Sequence, residues 1–290
     1  MAVQDRIRNP IEWGWDQLKG AGHAVDSAAH AIEGAPPAVA GPPAVRRIAA
    51  ADLRDALAKG LSDFGACRTD VIFLCLIYPV LGLVLARMAI GAALLPLIFP
   101  LVSGFALVGP IAAMGLYEMS RRREAGHDIG WAGAFGVLRS PAFGAILTLG
   151  VVLLAIFVAW LAAAWGLYAV TLGPEAPASI TGFLGDVFTT GPGWALIGLG
   201  VGVGFLFAVL VLIIGVVSFP LLLDRDVGVR AAVSTSVRAV RANPGPMALW
   251  GLIVAAGLVA GSIPALLGLV IVMPVLGHAT WHLYRKVVVR

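Results

Sequence analysis

Apolar positions in this chain gather into long uniform runs rather than into short alternating ones. The runs cover about 71–86, 90–117, 142–172, 193–223 and 245–284. A membrane span needs about 20 predominantly apolar residues at a rise of about 1.5 Å each. The last run would measure about 60 Å as one helix, twice the roughly 30 Å hydrocarbon core. Gly261, Ser262 and Pro264 near its middle predict a turn, so it reads as two spans, 245–261 and 264–284. The pattern predicts an all-α membrane protein of six transmembrane helices arranged as three hairpins.

The charged positions between the runs set an orientation. Arg121, Arg122, Arg123 and Arg139 lie between the second and third runs, and Arg225, Arg230, Arg238 and Arg241 between the fourth and fifth. The tail carries Arg285, Lys286 and Arg290. The alternate connections hold only Arg87, then Glu175 and Asp186, then no charge. Cytoplasmic loops carry the excess of Lys and Arg. With six spans, every basic segment and both termini fall on the cytoplasmic side; with five, the basic tail would lie opposite the other basic loops.

Each basic segment also predicts an amphipathic helix leading into a hairpin. The first, 51–68, places Leu53, Leu57, Leu61 and Phe64 at helical spacing. The second opens at Asp128 and exits at Ser140-Pro141; the third opens at Asp226 and exits at Asn243-Pro244. Asp suits the start of a helix and Pro the first turn of the next. Residues 1–45 form a separate cytoplasmic region. There Ile7, Ile11, Trp15 and Leu18 suggest an interfacial helix, followed by a Pro/Ala linker. Residues 46–290 form the membrane domain.

Composition sharpens this picture. The chain has 290 residues, of which 60% are hydrophobic and 12% charged, with a mean hydropathy of +0.94. An ordinary soluble domain carries about 25% charged residues, so a soluble globular enzyme is excluded. Residues 1–70 hold 8 basic and 9 acidic residues, 17 of the chain's 36 charges. No apolar core follows the early basic residues, so no cleaved signal peptide is expected. Cys67 and Cys75, about 12 Å apart along one helix axis, are too distant for a disulfide.

Chemistry-bearing residues are sparse. The second to fifth spans have no Asp, Glu, Lys, Arg or His in their interiors, and Asp70, Glu118 and Asp224 sit at boundaries. Intramembrane charge usually marks transport function, so a proton-driven transporter is disfavoured. His278 and His282 share one helix face near the cytoplasmic end of the last span, beside Trp281 and Tyr284. Two histidines fall short of the three or four ligands of a zinc site, and the favoured reading is an interfacial polar belt. No nucleophile–base–acid set and no phosphate loop is legible, so no catalytic residue, cofactor site or metal site is assigned. Gly198, Gly200, Gly202 and Gly204 in the fourth span, with Gly257 and Gly261 in the fifth, fit close helix packing through small residues. Tyr78, before Pro79, and Ser218, before Pro220, are further polar candidates at prolines that should kink their spans.

Three stretches carry a resemblance: DLRDALAKGLSDFGACRTDVIFLCLIYP at 52–79, GLYEMSRRR at 115–123 and FPLLLDRDVGVR at 219–230. They resemble a bacterial integral-membrane family known as domain of unknown function 2189, over roughly residues 45–286. The resemblance implies a multi-span inner-membrane protein without an established activity. Some relatives carry a respiratory-oxidase subunit label. A haem–copper catalytic subunit needs several intramembrane histidines, and only His278 and His282 lie near a span, so that catalytic role is rejected.

The sequence therefore predicts a non-enzymatic, multi-pass protein of the bacterial inner membrane. Its expected role is that of an accessory, assembly or scaffold component, with a respiratory-type complex as one assembly it would join. Its expected partners are the lipid bilayer and other membrane subunits or further copies of itself, not nucleic acid. The alternative is a channel or facilitator for a small neutral or lipid-like solute.

Overall fold

The computed structural model describes residues 43–75, 87, 95–127, 131–134, 136–137, 140–264 and 266–289. Among these the chain is all-helical, and its one β-bridge is isolated. The principal helices are α1 (Ala50–Cys75), α2 (Ile98–Ala112), α3 (Met114–Glu124), the short α4 (Trp131–Ala134), α5 (Phe143–Thr171), α6 (Ile180–Thr189), α7 (Gly191–Gly215), α8 (Ser218–Asp224), α9 (Gly228–Ala242), α10 (Pro244–Ser262) and α11 (Leu269–Val287).

Among the described residues, three helical segments are long and apolar enough to cross a membrane: Phe143–Thr171, Gly191–Asp224 and Pro244–Ser262. They coincide with the runs expected at 142–172, 193–223 and 245–261. The expected spans 71–86 and 90–117 lie partly outside the described residues, as do Tyr78 and most of the 1–45 region. The expected span at 264–284 falls on α11, which begins later, at Leu269, and is not among these three segments.

Local sequence explains the breaks. The 34-residue segment Gly191–Asp224 is interrupted between α7 and α8 at Val216 and Val217. Pro220 has no N–H to give the carbonyl four residues earlier. The connection from α10 to α11 runs through 263–268, where Leu266 takes a positive φ of 67°. It closes tightly because two glycines meet. A Cβ on Gly268 would lie 2.8 Å from the Gly261 Cα, and one on Gly261 would lie 2.9 Å from Leu269 Cδ2.

Helix α1 carries a correction. Its buried face is Leu53, Ala56, Gly60, Asp63 and Cys67, whereas Leu61 of the expected apolar face is 58% exposed. The buried face packs on α11. A Cβ at Gly60 would stand 2.6 Å from the Ala279 backbone nitrogen and 2.7 Å from its Cβ. Small residues allow the two backbones to approach, and packing rather than side-chain size decides which face turns inward.

The described chain ends are tied together. Val45 and Val288 form the antiparallel bridge, with Arg46 N donating to Val287 O at 2.7 Å and Val289 N to Ala44 O at 3.0 Å. Asn243, at the junction of α9 and α10, uses both ends of its amide. Its Oδ1 accepts from Ile48 N at 2.7 Å, and its Nδ2 donates to Arg46 O and Ala239 O at 3.1 and 3.0 Å.

Candidate functional site: a buried polar cluster joining three helices

The packing of α1 on α11 brings polar residues of three helices into one cluster. Asp63 from α1, Ser120 and Arg123 from α3, and His278 and His282 from α11 meet at the basic end of the bundle. The Ser120 hydroxyl donates to Asp63 Oδ2 at 2.6 Å. The His282 Nε2 lies 2.8 Å from the same oxygen, and Arg123 Nη1 donates to Asp63 Oδ1. The His278 Nδ1 lies 2.8 Å from Ser120 Oγ. Asp63 is 5% exposed, Ser120 1% and His278 0%.

The donor inventory fixes the proton positions. A hydroxyl has one proton, and that of Ser120 points to the carboxylate. His278 Nδ1–H therefore donates to Ser120, and its Nε2 is an acceptor with no hydrogen-bond partner among the described residues. Burial raises the Asp63 carboxyl, but the hydrogen bonds from His282 and Ser120, with the nearby charges, outweigh it and hold the group below its ordinary value.

A second network lies alongside. Arg285 donates to Glu124 Oε2 at 2.9 Å and to Asp224 Oδ2 at 3.1 Å, and its guanidinium sits 5.3 Å from the Trp281 ring centroid. The Tyr284 hydroxyl donates to Asp224 at 2.6 Å, and Trp281 Nε1 to Glu124 at 3.2 Å. Burial lowers the Arg285 guanidinium, but the bond to Glu124 and the charge of Asp224 raise it above its usual range. Lys286 reaches Asp55 at 2.9 Å and Asp52 at 3.1 Å. Glu118, almost fully buried, is paired with both Arg121 and Arg122 at 2.7 Å. The α3, α8 and α11 residues that looked like separate boundary charges thus share one end of the fold.

Between the two networks lies a cleft of about 420 Å³ lined by Lys59, Asp63, Arg123, Glu124, His282 and Arg285 among others. The arrangement can clamp α1, α3 and α11 and share protons among a carboxylate, a hydroxyl and two imidazoles. It differs from a catalytic triad, in which the carboxylate orients the histidine that serves the hydroxyl. Here Asp63 binds the hydroxyl directly, and its histidine partner is His282. Among the described residues, no group of three His, Cys, Asp or Glu side chains is placed to hold a metal ion.

The other expected positions divide. His278 and His282 both enter the cluster, and His278 is a core residue rather than part of an interfacial belt. Ser218 is fully buried and donates to the Ile214 carbonyl within its own chain segment. Gly204 faces Trp160, where a Cβ would lie 3.1 Å from the ring, and Gly257 faces Val272 at 3.2 Å. Among the described residues, nothing lies within 4 Å of a Cβ added at Gly198, Gly200 or Gly202. Sequence reasoning missed Asp63, Ser120 and Arg123. The available signal was the spacing of Ala56, Gly60, Asp63 and Cys67, which puts the carboxylate in register with small buried residues.

No curated protein and no solved structure matches the chain. Asp63, His278 and His282 fall outside the part of the chain that a family model covers, as does the 52–79 stretch, while Ser120, Arg123, Glu124 and Asp224 fall inside it. Residues 98–224 match the model of the family described as predicted integral membrane protein (DUF2189).

Proposed function

We propose that the chain is a non-enzymatic accessory, assembly or scaffold protein of the bacterial inner membrane that works by holding other membrane helices. Both termini are cytoplasmic in this reading, which draws on the Arg-rich segments and on the ion pairs that join α1, α3, α8 and α11 at one end. The polar cluster is the clamp that keeps these helices in register. The observation that carries the proposal is the outer face of α7. Among the described residues Gly198 and Gly202 are exposed, with open space where a Cβ would stand, and Leu199, Phe205 and Leu206 beside them are at least half exposed. Small residues four apart let two helix backbones approach closely in a membrane. The partner is another membrane subunit or a second copy of the chain.

Native gel electrophoresis of gently solubilised membranes tests this reading. The proposal predicts a species larger than the monomer that disappears when Gly198 and Gly202 are replaced by Leu. A monomer in both cases would refute it.

A further inference from the structure

An apolar crevice of about 390 Å³ opens between α2, α7, α10 and α11. Its walls include Leu107, Val211, Trp250, Val254, Leu258 and Met273. The mouth carries Phe205 and Leu252, both well exposed. Two hydroxyls reach it, from Tyr117 and Thr280. The Thr280 hydroxyl is already committed, donating to the Leu276 carbonyl at 2.7 Å.

We infer that this crevice is a binding site for one lipid acyl chain drawn from the surrounding bilayer. Water is a poor occupant, because it needs two or more polar partners and this lining is apolar apart from two hydroxyls, one of them already donating to a carbonyl. A space this large without contents would forfeit the dispersion contacts of its lining. The crevice opens between α7 and α10, both of which belong to segments apolar and long enough to span the membrane, so hydrocarbon is the medium at its mouth. Gly109 supports the assignment. It lines the crevice, and among the described residues a Cβ there would meet nothing within 4 Å, so the described walls leave room for a chain beside it. The site needs no protein partner, although Phe205 at its mouth also lies on the exposed face of α7.

The test uses the full chain reconstituted in phosphatidylcholine vesicles that contain a phosphatidylcholine with a diazirine on its acyl chain. After photolysis, adducts are mapped by mass spectrometry. The site predicts adducts on Val254, Leu258 and Met273 at several-fold the level found on the outward-facing Val201 and Val259. Gly109→Leu should abolish the enrichment and leave the outer-face adducts unchanged. Ala255→Phe, which fills the crevice from α10, is the second variant should Gly109→Leu fail to fold. Equal labelling of all apolar faces, unaffected by either substitution, would overturn the inference. So would walls that take no label because another part of the chain covers them.

Discussion

The Asp63 carboxylate of α1 lies 2.8 Å from the His282 imidazole of α11, across 219 residues of chain. That contact, with Ser120 and Arg123 on the same carboxylate, makes Asp63 the acceptor through which α1 holds both α3 and α11. Asp63→Ala would leave a buried hydroxyl, a partly buried imidazole and a guanidinium without their acceptor. Breaking a buried ion pair on one side costs about 3–5 kcal/mol, and the partial exposure of Arg123 places this case near the lower end. Thermal unfolding in detergent micelles should show a clear fall in Tm for Asp63→Ala and a smaller one for Asp63→Asn, which keeps the shape. Equal Tm values in all three proteins would mean that the cluster does not hold the helices together.

The same carboxylate sets a pH dependence. Its folded value lies below its unfolded one, so it contributes stability above the unfolded value of 3.8. That contribution is lost as pH falls through the lower folded value. Asp52 adds in the same direction, held down first by the Ala49 backbone amide and then by Lys286. Tm should therefore change little on these groups' account between about pH 7 and 5 and drop below about pH 4. The drop should be shallower in Asp63→Asn. An identical acid profile in that variant would contradict the assignment.

Gly60 sets the distance between α1 and α11. A methyl group there would fall 2.6–2.7 Å from Ala279 N, Ala279 Cβ and Val275 O, and two of those atoms are backbone, which cannot swing aside. Overpacking of this kind costs about 1–3 kcal/mol. Gly60→Ala should lower Tm measurably, whereas Gly65→Ala, on the same helix with open space around it, should not. A reversed order would show that the close approach is not a constraint.

Composition and run length were enough to find α5, α7 with α8, and α10, because a bilayer demands continuous apolar sequence and little else satisfies it. The i, i+4 pair His278 and His282 was also legible as a pair. Its partners were not. Asp63 lies 57 residues from Ser120 and 219 from His282, and nothing local marks a boundary carboxylate as buried. Of the apolar face expected on α1, Leu53 is buried and Leu57 and Phe64 pack partly buried against the core. In a close helix crossing, small residues face inward, and Leu61 is left outside. The four glycines of α7 were expected to act together in close helix packing. Their division into Gly204, turned toward Trp160, and Gly198 and Gly202, turned outward, depends on how α5 and α7 cross.

That division gives the most direct measurement of the partner-holding role. Native gel electrophoresis is run on membranes holding the unaltered chain, Gly198→Leu with Gly202→Leu, and Gly204→Leu, alongside the Tm of each purified monomer. The account predicts that the double variant loses the large species and keeps its Tm. Gly204→Leu should lose Tm through its clash with Trp160. A large species that persists in the double variant with unchanged mobility would contradict the proposed interface.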